Sequence, residues 1–169
     1  FDNLLSNYYI CLPSLIVRKY YVDMLDYHFD DEFDYISDFD FILRLSKKCK
    51  LIVCKEILAG WRVHGKNDTF KSPYKFVEET KKWIKKQTKN NIIDIYENKK
   101  SLEILKNKNN RQILIFKIIN NEKLSFLKLF INQNNKNWKD FLLLMIMFLP
   151  NGSKILRYFY LKRISFGLN

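Results

Sequence analysis

From Phe29 to Asn67 the chain reads FDDEFDYISDFDFILRLSKKCKLIVCKEILAGWRVHGKN, and this segment is the most informative part of the sequence. The segment His28–Tyr35, which overlaps its start, is acidic and aromatic, which predicts a loop. Ser37 then opens a helix, because an apolar stripe follows at helical spacing and lysines gather at its C-terminal end, where cations suit the helix dipole. The stripe consists of Phe39, Ile42, Leu43 and Leu45.

Short apolar runs on either side of this helix predict strands. Leu51–Val53 and Ile57–Val63 are rich in β-forming residues, and Gly60 suggests a bulge in the second run. Upstream, the apolar run from Tyr8 to Arg18 is interrupted by Pro13, so its firmest strand is Leu15–Val17. Strands that alternate with short helices predict an α/β fold for residues 1–70.

From residue 71 to residue 169 the pattern predicts a mostly α-helical region. Apolar positions recur at helical spacing, and the breaks are rich in Asn or contain Gly: Asn90–Asn91, Asn107–Asn110, Asn132–Asn137 and Pro150–Ser153. The apolar run Phe141–Leu149 has nine residues, and a helix needs about 20 to span a bilayer. We therefore expect a buried or interfacial helix there.

Charge divides the chain in the same place. Residues 1–70 hold 9 Lys/Arg and 11 Asp/Glu, a net charge of −2, whereas residues 71–169 hold 21 and 7, a net charge of +14. The sequence thus predicts a first part, residues 1–70, followed by a basic helical extension, residues 71–169.

The cysteines and the first residue indicate the compartment and the extent of the chain. Cys11, Cys49 and Cys54 show no metal-binding spacing, and Cys11 and Cys54 lie in apolar runs, so we expect buried thiols in a reducing, cytoplasmic compartment. The first residue is Phe1 and no signal peptide is visible, so we expect a fragment or a chain whose start was removed.

The stretch quoted above is similar to the second half of the catalytic domain in glycosyltransferase family 2, whose fold is of the GT-A type. In that family an FDE loop precedes an acidic ED-x-D helix start with an arginine six residues after the first aspartate. A pair of strands then ends in R-x-H-x-x-N. The matching residues are Phe29 to Glu32 for the loop, Asp38, Asp40 and Arg44 for the helix start, and Arg62, His64 and Asn67 for the terminal motif. The resemblance covers roughly residues 8–70, and Ser37 departs from it where the family more often has Glu.

The resemblance implies a partial GT-A domain with an incomplete Rossmann-like sheet, and an inverting transfer from a nucleotide-diphospho-sugar to a glycan or lipid-linked acceptor. It places the catalytic base on Asp38, and it implies Mg²⁺ or Mn²⁺ in the complete enzyme. A carboxylate at a helix N-terminus suits this role because the helix dipole favours the ionised form. Asp38-Phe39-Asp40 has the D-x-D form of the family's metal motif, but it opens a helix, and the family pattern places it at the base position. The nucleotide-binding half that precedes these motifs in the family is not in this sequence, so we expect the chain alone to be inactive.

Each of these residues also has a purely structural reading. Ser37 and Asp40 have the spacing of a capping box, and Asp40 and Arg44 that of a helical ion pair. We assign Asp38 to catalysis and keep the ion pair for Asp40 and Arg44, with Asp40 also a candidate on the acceptor side.

The remaining candidates come from the acidic loop and from the terminal motif. Asp30 and Asp31 could face the acceptor or belong to a solvated loop, and Trp61 could stack on a sugar or lie in the core. His64 is the candidate metal ligand, or an ordinary loop histidine. Arg62 and Asn67 are candidates for the donor's diphosphate, although Arg62 could instead hold the acidic loop.

The basic extension has three readings. Lysines cluster between residues 81 and 89, and four cations flank the aromatic run Tyr158–Tyr160. An anionic membrane surface fits such a pattern, which predicts a cytoplasmic protein that is peripheral at the inner face of the plasma membrane. A solvated lysine surface is nearly as good an explanation, whereas nucleic acid is disfavoured because the apolar runs are too heavy for a face that tracks phosphates. The rival to the transferase is therefore a non-catalytic helical module that docks on a membrane or a partner protein.

Overall fold

A computed structural model of the chain describes residues 1–60, 62, 72–91, 93–133 and 136–166. These residues form eight α-helices and one 3₁₀ turn, Leu12–Ser14. In chain order the α-helices are α1 Asp2–Ser6, α2 Lys19–Asp23, α3 Ser37–Ser46, α4 Pro73–Lys89, α5 Lys99–Ile119, α6 Lys123–Asn132, α7 Trp138–Phe148 and α8 Gly152–Phe166.

The α/β prediction is wrong, and with it the partial GT-A sheet, because no strand occurs in the described part of the chain. Pro13 lies in the 3₁₀ turn, and Leu15–Val17 and Leu51–Val53 make no ladder. The described part of the third predicted strand is equally irregular, with Ile57 97% exposed. A strand is stabilised by a paired neighbour, and β-propensity alone does not supply one.

The chain divides into two compact units, Phe1–Lys106 and Asn107–Asn169, and the boundary falls within α5. The division predicted at residue 70 lies outside the described residues and stays a prediction. Helix α4 contributes Trp83 and Ile84 to the same core as α3, so it belongs to the first unit.

The core of the first unit is built around α3. Seven of its ten residues are buried, and they form the continuous run from Phe39 to Leu45. Leu4 and Leu5 of α1 and Trp83 of α4 pack into the same cluster. Burial of each large apolar side chain contributes about 1.5–3 kcal/mol, so α3 is the most firmly held element of this unit.

The second unit has its own core, formed by α5, α6 and α7. Its buried members are Leu114, Ile118, Phe126, Phe130, Leu143 and Met147. Asp140 is also fully buried and is bonded by Arg111 Nε at 2.9 Å. It closes a capping box with Asn137 at the start of α7, which satisfies two of the helix's terminal N–H groups.

Three asparagines next to helix ends have a left-handed backbone. Asn91 follows α4 with φ 57°, Asn121 follows α5 with φ 59°, and Asn151 precedes α8 with φ 60°. Asparagine is the non-glycine residue that best tolerates this conformation. The break predicted at Asn107–Asn110 is wrong, because those residues lie inside α5.

The expectation of buried thiols at Cys11 and Cys54 is wrong for both. All three are free, and Cys11 and Cys54 are exposed, whereas Cys49 is half-buried. Cys11 and Cys54 are exposed because the apolar runs around them do not form strands of a sheet, which would have buried their side chains.

Candidate functional site

The N-terminus of α3 is held by a carboxylate from α4. Glu79 Oε2 accepts hydrogen bonds from the backbone N–H groups of Tyr35 at 2.8 Å and Ile36 at 3.2 Å. Ile36 is the N-cap, and its own side chain makes no capping hydrogen bond, so the capping box predicted for Ser37 and Asp40 does not form. Ser37 Oγ instead donates to the carbonyl of Asp34 at 3.5 Å.

Asp38 lies in the first turn of α3 and is half-buried. Its Oδ1 accepts the backbone N–H of Phe39 at 2.7 Å, and its Oδ2 accepts the hydroxyl of Tyr8 at 3.2 Å. Each carboxylate oxygen has room for a second hydrogen bond. The group is therefore fixed in place and still able to accept a proton from an incoming hydroxyl.

The hydroxyl of Tyr8 remains a hydrogen-bond donor to Asp38. Burial, followed by the negative charge of Asp38 and the hydrogen bond to it, raises the pKa of the Tyr8 phenol well above its usual value. The hydroxyl consequently stays protonated over the whole physiological range. Its ring packs edge-on against Phe39 with centroids 5.3 Å apart, which aims the hydroxyl at the carboxylate.

Asp40 is fully buried and forms the centre of a polar hub. Its Oδ2 is bonded by Arg44 Nε at 2.8 Å, and its Oδ1 by Trp83 Nε1 at 2.7 Å and Gln87 Nε2 at 2.9 Å. A carboxylate with no exposed surface cannot touch an acceptor, so this geometry favours the structural reading of Asp40.

Arg44 extends the hub to the start of the acidic loop. Its terminal nitrogens donate to the carbonyls of Tyr27 at 2.6 Å and His28 at 2.7 Å. Its guanidinium also lies 3.9 Å from the centroid of the Tyr27 ring. The hub thereby ties α3, α4 and the loop into one body, which fixes the orientation of the first turn of α3.

The two candidates of the acidic loop lie in different surroundings. Asp31 is exposed. Asp30 is buried and accepts Lys86 Nζ at 2.7 Å, and Lys86 also reaches Glu32 at 2.9 Å. Although burial works in the opposite direction, the hydrogen bonds from Lys86 and Glu32 leave the pKa of Asp30 below its usual value. Asp31 is the one of the two that is open to a ligand.

The terminal motif is represented by Arg62 alone, which is exposed. Trp61, His64 and Asn67 lie outside the described residues. The donor and metal assignments therefore stay predictions.

The described residues do not supply a metal site. Within them, no group of three or more His, Cys, Asp or Glu side chains could hold a metal ion. The predicted Mg²⁺ or Mn²⁺ thus has no ligand set in this part of the chain.

Comparisons with protein-family models, curated proteins and solved structures find no match. The resemblance to glycosyltransferase family 2 accordingly rests on the quoted motifs.

Sequence reasoning missed the residues that hold the site together. Glu79, Trp83 and Gln87 follow one another at intervals of four residues, which places them on one face of α4, and all three bond to α3 or its approach. Such spacing could have identified polar side chains on an apolar face. Tyr8 carries no comparable signal, because it is 30 residues from Asp38 in the chain.

Proposed function

We propose that this chain is the acceptor-side, base-supplying part of an inverting glycosyltransferase that uses a nucleotide-diphospho-sugar donor and a glycan or lipid-linked acceptor. The observation that carries the proposal is Asp38, a half-buried carboxylate in the first turn of α3, the same turn that the Asp40 hub holds in place. The order and spacing of the family motifs support it. Because the described residues contain no strand, the activity is proposed without the α/β architecture.

In the proposed reaction, Asp38 takes the proton of the acceptor hydroxyl while that oxygen forms a bond to the anomeric carbon of the donor. The bond from this carbon to the diphosphate breaks, and its electron pair leaves on the diphosphate oxygen. Attack opposite to the leaving group inverts the configuration. The hydroxyl of Tyr8 and the backbone N–H of Phe39 hold the carboxylate in position for this proton transfer.

The compartment follows from the same proposal. We propose the cytoplasm, at the inner face of the plasma membrane, and three free thiols support a reducing environment. No helix in the described residues is long and apolar enough to cross a membrane.

The test is transfer by the complete enzyme with Asp38→Asn, a change that keeps the size of the side chain and removes its basicity. UDP release from UDP-glucose, UDP-galactose and UDP-N-acetylglucosamine would be measured with membranes as the source of acceptors. We expect a loss of roughly 10²–10⁴-fold. The matched control is Asp34→Asn, an exposed loop carboxylate, and equal activity of the two variants would remove Asp38 as the base.

A second candidate is the non-catalytic module that docks on a membrane surface or a partner protein. It is favoured by exposed apolar side chains in the second unit. The two candidates are distinguished by turnover, since a docking module would bind and release no nucleotide with any donor.

A further inference from the structure

Helix α7 is apolar on both of its sides, but only one side is packed. Leu143 and Met147 face the core of the second unit. On the other side six apolar residues recur at intervals of three or four, and we call them the α7 stripe. They are Trp138, Phe141, Leu142, Met145, Phe148 and Leu149, with exposed fractions of 70, 50, 47, 68, 65 and 51%.

The α7 stripe is not explained by the fold of its own unit. Phe141 packs edge-on against Phe130, with ring centroids 5.5 Å apart. The side chains of Trp138, Met145 and Phe148, in contrast, are about two thirds exposed to solvent. Contiguous exposed apolar surface on a folded domain typically marks a binding site.

The charge of the second unit indicates what binds there. Residues 107–169 hold 11 Lys/Arg and 2 Asp/Glu, a net charge of +9. Both acidic residues are already neutralised, Asp140 by Arg111 and Glu122 by Lys117. In its described part the unit therefore presents cations and apolar groups, and neither of its acidic side chains is without a cation.

Cations and aromatic rings also adjoin one another on this unit. Lys139 Nζ lies 5.5 Å from the Trp138 ring centroid, and Lys162 Nζ lies 5.8 Å from that of Tyr158. Tyr158 and Phe159 of α8 are both exposed, and so are Lys154 and Arg157. Amphipathic aromatic rings beside cations suit the boundary between lipid headgroups and acyl chains.

We propose that the α7 stripe is a membrane-docking surface that enters the headgroup region of an anionic bilayer and lies parallel to it. The helix has 11 residues, about 16 Å at the usual rise per residue, which is half the thickness of the hydrocarbon core. The helix can therefore lie in the headgroup interface, but it is too short to span the bilayer. This inference does not depend on the transferase activity.

Two other occupants fit less well. A second copy would bring together two units of net charge +9, and like charges oppose such a contact. A protein partner would need polar groups for interfacial hydrogen bonds, commonly one per 100–200 Å². The α7 stripe offers only the indole N–H of Trp138, whereas fluid lipid requires no such pattern.

The experiment is flotation of the chain with unilamellar vesicles made of equal parts phosphatidylcholine and phosphatidylglycerol, or of phosphatidylcholine alone. We expect binding to the mixed vesicles, weaker binding to the neutral ones, and loss of binding as salt rises. The variant Met145→Gln/Phe148→Gln should lower the partition coefficient at least roughly tenfold, because two side chains that would be buried in lipid are gone. The matched control is Tyr96→Gln, a 91% exposed aromatic in the first unit, which should bind like the unaltered chain.

A second variant covers the case in which the double variant does not fold. Trp138→Phe keeps an aromatic ring at the first position of α7 and removes one indole. The blue shift of tryptophan emission on addition of mixed vesicles should then disappear. A double variant that folds and floats as well as the unaltered chain would overturn the proposal, and so would absence of binding to mixed vesicles. A dimer in light scattering that the double variant abolishes, with vesicle binding unchanged, would assign the stripe to a second copy instead.

Discussion

Trp83 Nε1 donates a hydrogen bond of 2.7 Å to Oδ1 of Asp40, a carboxylate with no exposed surface. The two residues are 43 positions apart, and the bond joins α4 to α3. Because Arg44 occupies the other oxygen of Asp40 and also binds the start of the acidic loop, a single buried charge organises three segments. The first turn of α3, which carries Asp38, is oriented by this hub.

Arg44→Met should be among the most destabilising changes in the first unit. It leaves Asp40 as a buried charge without its cation and leaves the carbonyls of Tyr27 and His28 without their donor. We expect a loss of about 3–5 kcal/mol in the free energy of unfolding, the range for breaking one side of a buried ion pair. Urea denaturation in a Trp138→Phe background would report on this unit, since Trp61 and Trp83 both belong to it.

The control for that measurement is Lys19→Met, which removes the ion pair with Asp23. The two side chains are 86% and 50% exposed, and exposed pairs contribute little. A loss with Arg44→Met no larger than that with Lys19→Met would contradict the hub as an organising element.

The pair of Asp30 and Lys86 should make stability depend on pH at both extremes. Burial opposes the charged forms, but the hydrogen bonds within the pair lower the pKa of Asp30 from 3.8 and raise the pKa of Lys86 above its usual value. A lowered carboxyl pKa stabilises the fold above pH 3.8, and this contribution is lost as the pH falls through the folded value. A raised lysine pKa stabilises the fold below pH 10.5, and this contribution is lost as the pH rises through the folded value.

Lys86→Met tests this expectation. Compared with the unaltered chain, the variant should lose about 1.5–3 kcal/mol of unfolding free energy near neutral pH, where the charged hydrogen bond is complete. The difference should shrink below pH 3.8 and above pH 10.5. Urea midpoints measured across this range would check it, with Lys82→Met, an exposed lysine on the same helix, as the control. A difference that does not vary with pH would mean that the packing of the Lys86 side chain, and not its charge, stabilises the loop.

The sequence predicted the helix at Ser37 correctly because its information is local. An apolar stripe at helical spacing needs no distant partner to be recognised, and α3 runs from Ser37 to Ser46. The strands were predicted wrongly because pairing is not local. Leu51–Val53 has the composition of a strand, yet Ile52 is 90% exposed and has no ladder neighbour.

The same distinction between local and distant contacts holds for the candidate site. The place of Asp38 in the first turn of α3 and the ion pair of Asp40 with Arg44 follow from spacing within one helix. Tyr8, Glu79 and Trp83 reach α3 or its approach from other parts of the chain, and neither propensity nor periodicity indicates which distant segment will pack there.

Two substitutions of Asn121 should have different effects on the stability of the fold. It follows α5 with φ 59°, a left-handed conformation that glycine adopts without strain and a β-branched residue resists. Asn121→Gly should leave stability unchanged or slightly improved, whereas Asn121→Val should lower it by about 1–2 kcal/mol. Thermal denaturation followed by circular dichroism would measure both, with Asn120→Val at the preceding position as the control. Equal melting temperatures for the Gly and Val variants would contradict the left-handed helix end.

Tyr8→Phe should impair transfer by the complete enzyme without disturbing the fold. Phenylalanine keeps the edge-on packing against Phe39 and removes the hydroxyl that donates to Asp38 Oδ2 at 3.2 Å. A hydrogen bond to a charged group is worth about 1.5–3 kcal/mol, so kcat/KM should fall by roughly ten- to a hundredfold.

The melting temperature separates positioning of the carboxylate from simple damage to the structure. Tyr20→Phe is the matched control, since its ring is 67% exposed and packs edge-on against Tyr21, well away from Asp38 in the chain. A protein weakened only in its packing would lose thermal stability together with activity, and that outcome would leave Tyr8 as a packing residue. A lower kcat/KM at an unchanged melting temperature, with Tyr20→Phe fully active, would show that the Tyr8 hydroxyl acts on the proposed base.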